Sequence, residues 1–262
     1  MNPQLRLLAR PDLTSGMEDF LAKHDLNWRE CGVATPAERL VEFAGRICYM
    51  SFGERQFRTD NQTYISNLIS QGHGSVLEHV AWTVLLSGVS RAFTHQLVRH
   101  RVGFSFSQLS QQYHDEGDAQ FIRPHGLERS PKAMEAWDGL IELAKKTYET
   151  IKAEFPVNAG LTSTRERNRA LRSAARSVLP NATATIIVVT ANARAIRHFL
   201  AMRGAIEGDY EMRIVSKLFY DLLKLEAPVL VSDFELRCLP DGSPSVVRLT
   251  PIAAESSTKS AA

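Results

Sequence analysis

Cysteine is scarce in this 262-residue chain: Cys31, Cys48 and Cys238 are its three, widely spaced and without a CxxC pair. That excludes a disulfide framework and a zinc knuckle, leaves no metal expected, and fits a reducing compartment. No apolar run approaches the roughly 20 residues of a membrane span, and the stretch MNPQLRLLARPDLTSG lacks the apolar core of a signal peptide. The expected location is cytoplasmic, with no membrane partner. Charge of one sign is also missing, since 31 basic residues against 29 acidic leave a net +2. Such a balance argues against a protein that coats nucleic acid, so any basic site must be local. What is present, 44% apolar and 23% charged residues, is enough to build a full core.

Periodicity divides the chain into strands and long helices. Leu5, Leu7 and Ala9 alternate as in a strand, and a polar connector with a short helix follows over Pro11 to Glu30. Thr35 and Pro36 form a cap-then-proline helix start, with Leu40, Val41, Ala44, Ile47 and Cys48 as its apolar stripe. On that stripe Cys48 is expected to pack into the core. A helix over Asn61 to Gln71 precedes a buried strand, VAWTVLLS, which Gly88 should end. From Ser90 to Arg101 the spacing predicts a helix with Arg91, His95 and Arg99 on one face, and the Ser/Gln-rich stretch behind it reads as a loop. Helices are expected over Pro131 to Phe155, Thr164 to Val178, Ala193 to Met202 and Asp209 to Leu225, with ATIIVVT (Ala184 to Thr190) the clearest strand. The expectation is one α+β domain over residues 1–252, a central, mainly antiparallel sheet flanked by long helices, and a disordered tail at 253–262.

One unit occurs twice: an apolar strand, then a helix loaded with Arg and His. No acidic residue interrupts Glu78 to Asp115, an interval holding Arg91, His95, Arg99, His100, Arg101 and His114. Between Glu166 and Glu207 lie Arg167, Arg169, Arg172, Arg176, Arg194, Arg197 and Arg203. Two such islands in a nearly neutral chain suit phosphates, which arginine grips in bidentate fashion. The plainer alternative, a solvated helix face, fits Arg167 to Arg172 better than it fits the RHR triplet. That triplet runs into FSFSQLSQQY, a stretch dense in hydroxyls and amides that could hydrogen-bond a phosphate or a pyrimidine. On chemistry alone Phe104, Phe106 and Tyr113 could also stack the bases of single-stranded RNA.

The segment RHRVGFSFSQLSQQY resembles the signature of the flavin-dependent thymidylate synthases, in which RHR precedes seven residues and a serine. GHGSVLEH, VEFAGRICY, ARSVLPNAT and NARAIRHFLAMR look like further segments of that family, in the family's order, and the resemblance spans Leu5 to Leu239. It implies a homotetramer with FAD, active sites between subunits, and NADPH and methylenetetrahydrofolate as co-substrates. By position, FAD would be held by Ser75, Arg99, His100, Arg101, Gln108, Asn192, Ala193, Arg194 and His198, with His73 and Glu78 in the folate and flavin region. The uracil nucleotide would meet Gln96, Leu97, Val98, Arg99, Gln108, Leu109, Ser110, Gln111, Gln112 and Arg176. Arg203 would be the catalytic residue, polarising the uracil ring. Asn192 and Arg203, eleven residues apart on one helix, would share a face about 16 Å apart, within reach of both flavin and nucleotide. Single residues keep simpler alternatives: Ser75 and Asn192 as helix caps, His198 as a packed or surface histidine.

Three positions depart from the family pattern. Eight residues, 102–109, separate RHR from Ser110, which places an extra residue near Gly103. Gln112 stands where the family usually has an arginine before the motif tyrosine, and Glu207 where it usually has a histidine after Arg203. If these meet in one pocket, UMP could be methylated alongside dUMP, because Glu207 and Gln112 could accept a hydrogen bond from a 2′-hydroxyl. The alternative from another class is a flavin-, nucleotide- or RNA-binding protein of the same fold without turnover.

Overall fold

Residues 2–156 and 163–249 are described by a computed structural model; the expected tail and the 252 boundary lie outside them. Four strands make the main sheet: β1 (Gln4–Ala9), β2 (Ala81–Ser90), β3 (Phe104–Gln108) and β4 (Ala184–Asn192). They lie in the order β1-β2-β4-β3, every neighbouring pair antiparallel. In β2 the side chains of Trp82, Val84 and Leu86 are buried, because alternate residues of a pleated strand share a face. Ile187, Val189 and Ala191 of β4 do the same beside them.

Eight α-helices accompany the sheet among the described residues: α1 (Gly16–Lys23), α2 (Pro36–Tyr49), α3 (Asn61–Ser70), α4 (Arg91–Leu97), α5 (Pro131–Glu154), α6 (Thr164–Ala175), α7 (Ala193–Arg203) and α8 (Tyr210–Glu226). None is long and apolar enough to cross a membrane. α2 starts at a full capping box: the Thr35 hydroxyl accepts from Glu38 N at 3.3 Å and the Glu38 carboxylate accepts from Thr35 N at 3.0 Å. Phe199 and Leu200 of α7 meet Met212, Val215 and Phe219 of α8 in the same buried cluster as the inner faces of β2 and β4.

Four expectations need correction. Gly88 does not end β2; it sits inside the strand at φ 67°, where the register with β4 slips between Leu86 and Val89, so the glycine carries a bulge. The helix foreseen to Arg101 stops at Leu97, leaving the RHR triplet on the turn beyond it. The Ser/Gln-rich stretch is not a loop throughout, since residues 104–108 pair with β4 as β3; its Ser and Gln residues obscured an alternation in which Phe104, Phe106 and Gln108 face inward. Cys48 is exposed, like Cys31 and Cys238. The face α2 buries is Ala37, Val41 and Gly45 together with the ion pair Glu42–Arg46. A two-stranded hairpin, β5 (Phe234–Cys238) with β6 (Pro244–Arg248), had no counterpart in the sequence reading.

Candidate active site

The repeated strand-to-helix unit positions the site. Ser90 ends β2 and caps α4, its hydroxyl accepting from Phe93 N at 3.0 Å. Asn192 ends β4 and caps α7, its Oδ1 accepting from Ala195 N at 2.8 Å. Because Ala81 pairs with Asn192 and Ser90 with Ala184, the two helices leave the sheet at opposite ends. The chain after α4 then turns at Gly103, φ 74°, whose carbonyl accepts from Asn192 N at 3.1 Å. A Cβ at Gly103 would come within 2.8 Å of the Asn192 side chain and of Ala195, so only glycine lets the turn lie this close to the start of α7.

This return brings His100 onto α7. Its ring lies 5.3 Å from that of Phe199, edge-on, and 6.1 Å from that of His198. Arg203 Nε donates to His100 Nε2 at 3.3 Å. Burial lowers the His100 pKa below the ordinary histidine value, and the charges of Arg203 and His198 lower it further. A neutral imidazole accepting from a fixed guanidinium is the result. Arg99 and Arg101 on either side are exposed, as is His198.

A second neighbourhood lies beside the α7 N-terminus. Arg194 pairs with Glu78 at 2.5 Å, both exposed, above a cleft of about 380 Å³ walled by Tyr49, His73, Ser75 and Arg194. The rings of Tyr49 and His73 are stacked there, 6.4 Å apart. Ser75 lies in the short 3₁₀ turn Gly74–His79, which His73 caps, so it is not a helix cap. Guanidinium, imidazole and hydroxyl groups beside aromatic faces form a donor set that fits a flavin nucleotide.

The third neighbourhood surrounds the turn after β3. Arg91 is half-buried and donates to Leu109 O at 2.8 Å. Burial pushes its pKa down, nearby Glu116 opposes this, and the like charge of Arg176 adds to it. Glu116 is itself pushed up by burial, against the pull of Arg91 and His114. Arg91 Nε, Gln111 Nε2 and Glu116 Oε1 are all buried without a hydrogen-bond partner. Orphaned buried polar atoms are costly; Arg91 Nε and Gln111 Nε2 are donors that an anionic ligand can use, whereas the Glu116 oxygen, an acceptor, offers it nothing. Arg91 was not singled out as a site residue in the sequence reading; the signal was its place in the acid-free interval, with nothing to tell it from His95, which is exposed.

Other expected residues are engaged elsewhere. Gln96 donates to Asp209 at 2.9 Å, and Gln108 to Thr94 at 3.0 Å and Thr185 at 3.3 Å. Leu97 and Ala193 are fully buried in the core, so their side chains serve packing, and Val98 and Leu109 are half-buried. Ser110 Oγ accepts from Gln112 N at 3.3 Å. Arg197, counted in the second basic island, is buried and held by both Asp233 oxygens, at 2.6 and 2.8 Å, and by the Leu230 carbonyl. Gly103 and Gln112 lie at opposite ends of β3, one against α7 and the other against α6, so within one chain they do not share a pocket.

A family model described as thymidylate synthase complementing protein (Thy1) matches residues 33–229. The flavin-dependent thymidylate synthase of Mycobacterium avium (strain 104) is 41% identical over 239 residues, covering 90% of this chain and 94% of that protein. That of Mycolicibacterium gilvum (strain PYR-GCK) is 42% identical over 240 residues, with the same coverage. A third, from Mycobacterium tuberculosis (strain ATCC 25177 / H37Ra), is 41% identical over 239 residues. With similarity running through every neighbourhood described above, the chain belongs to the flavin-dependent thymidylate synthase family and is an enzyme of that type.

Proposed function

We propose that the protein methylates dUMP at C5 to give dTMP, with FAD bound and with methylenetetrahydrofolate and NADPH as carbon and hydride donors. The observation that carries the nucleotide assignment is the two buried, unpartnered donors, Arg91 Nε and Gln111 Nε2, with Arg176 close enough for its charge to act on Arg91. In this reading Arg91 and Arg176 take the phosphate, while Ser110 and Gln111 supply the hydroxyl and amide that fix the rest of the nucleotide. Arg203 polarises the uracil ring, stabilising negative charge that develops there. His100, kept neutral by burial and its cationic neighbours, accepts from Arg203 and fixes the guanidinium in place. Arg99, Arg101, Arg194, His198 and Ser75 hold FAD, with His73 and Tyr49 walling the adjoining cleft and Glu78 paired with Arg194 beside it. When bound, the flavin supplies hydride transfer and a carrier for the one-carbon unit.

Active sites completed by neighbouring copies in a homotetramer, as the family resemblance implies, belong to this reading. Exposed apolar residues on several elements, among them Leu8, Val102, Ile186 and Met202, are available for such contacts. Methylation of UMP remains the second reading, favoured by Glu207, exposed four residues beyond Arg203. Incubation with NADPH, methylenetetrahydrofolate and either dUMP or UMP tests both. The expected product is dTMP; 5-methyl-UMP at a comparable rate would favour the second reading, and no methylated nucleotide from either would overturn the proposal.

A further inference from the structure

The turn that follows β3 has Gln112 before Tyr113, where the family resemblance implies an arginine, and a guanidinium is held on that turn. Arg169, on the second turn of α6, donates from Nε to Gln112 Oε1 at 3.2 Å, and its guanidinium carbon lies 5.7 Å from the centre of the Tyr113 ring. One turn further along the same helix, Arg172 donates to the Tyr113 carbonyl at 2.8 Å. These contacts clamp residues 112–113 against α6. On its other side the turn is tied to Ser110 through the Gln112 amide, and Gln111, next in the chain, is buried with its Nε2 unpartnered. The helix is followed at once by Arg176, close enough for its charge to act on Arg91.

Glutamine at 112 suits this arrangement for a chemical reason. An arginine there would repel Arg169 at contact distance, whereas the glutamine Oε1 is an acceptor that a guanidinium can donate to while its terminal nitrogens stay free for another partner. The Tyr113 ring face favours a cation over it. We propose that Arg169 supplies to the nucleotide the positive charge that position 112 lacks, and that Gln112 is its positioning residue. In this arrangement the cation sits on the helix packed against the turn. This rests on the nucleotide reading of the Ser110–Arg176 neighbourhood given above.

Charge exchange tests it. Binding of dUMP and of deoxyuridine, which lacks the phosphate, is measured on flavin-loaded wild type, Arg169→Ala, Gln112→Ala and the double variant Arg169→Ala/Gln112→Arg, together with kcat and KM. Loss of a charge-assisted contact should weaken dUMP binding by tenfold or so in Arg169→Ala and less in Gln112→Ala, with kcat nearly unchanged. Deoxyuridine binding should not move, and the double variant should recover dUMP affinity. A purely structural role for Arg169 would instead weaken both ligands and leave the double variant unrescued. Unchanged dUMP affinity in Arg169→Ala, or failure of the exchange to rescue a folded, flavin-loaded double variant, would overturn the proposal. Wild type that binds no dUMP at all would overturn the nucleotide reading itself, and this inference with it.

Discussion

Arg203 and His100, 103 residues apart in the chain, meet through a single hydrogen bond of 3.3 Å from Nε to Nε2. One comes from the last turn of α7 and the other from the turn after α4, so the contact joins the two strand-to-helix units at their charged ends. Replacing Arg203 with alanine should remove turnover by hundredfold or more, the usual scale for losing a donor that stabilises developing charge. FAD content, read from the visible absorbance of the purified variant, should stay at the wild-type level, because Arg203 itself is assigned to the uracil ring and not to FAD. Loss of flavin with retained turnover would reverse the roles.

The same contact should respond to pH. His100 has its pKa lowered in the folded protein, burial being the main cause and Arg203 and His198 the others. Below the ordinary histidine value of about 6.5 the unfolded chain takes up this proton before the folded one does, so stability contributed by neutral His100 is present above that pH and declines as pH falls beneath it. Protonation also removes the acceptor for Arg203. The acid limb of kcat should therefore follow the His100 imidazole titration observed by NMR. In His100→Gln, which keeps an acceptor but cannot titrate, that limb should flatten.

Behind the Tyr49–His73 cleft, Arg46 and Glu42 form a fully buried pair. Arg46 Nε reaches Glu42 Oε1 at 2.7 Å, and its other nitrogens donate to the carbonyls of Ser51 and Arg58. Glu42 also accepts from Asn61 at 2.6 Å and Trp28 at 3.2 Å. Arg46→Met would strand the carboxylate, and should cost about 3–5 kcal/mol in urea unfolding. Reducing Glu42 and Arg46 together to apolar residues should cost less than the single change.

Cys48 lies at the rim of that cleft, exposed, away from the residues assigned to the uracil ring. Cys48→Ala should change stability by no more than about 0.5 kcal/mol and leave turnover and FAD content intact. Abolished chemistry in a folded, flavin-loaded Cys48→Ala variant would call for a thiol in the mechanism.

Much of this arrangement is readable from the chain. The Thr35-Pro36 start, the α7 boundary at Asn192 and the β2 and β4 strands follow from capping chemistry and apolar alternation, which act over a few residues. β3 escaped because three of its five residues are Ser or Gln, whose strand character comes from pairing with β4 and not from local preference. Cys48 was misplaced because helical spacing identifies a stripe but cannot show that Glu42 and Arg46, satisfied by one another and by distant carbonyls, take the buried face instead. Arg169 read as a solvated surface residue and became informative only once α6 was seen against Gln112.

The central claim, a uracil nucleotide methylated on a flavin-bearing site, is tested most directly with isotope. Flavin-loaded protein is given NADPH, dUMP and methylenetetrahydrofolate labelled in its methylene carbon, and the nucleotide is recovered and analysed by mass spectrometry. The account predicts labelled dTMP, with the label in the C5 methyl group and absent when Arg203→Ala replaces wild type. Unlabelled dUMP recovered intact from flavin-loaded wild type would contradict it.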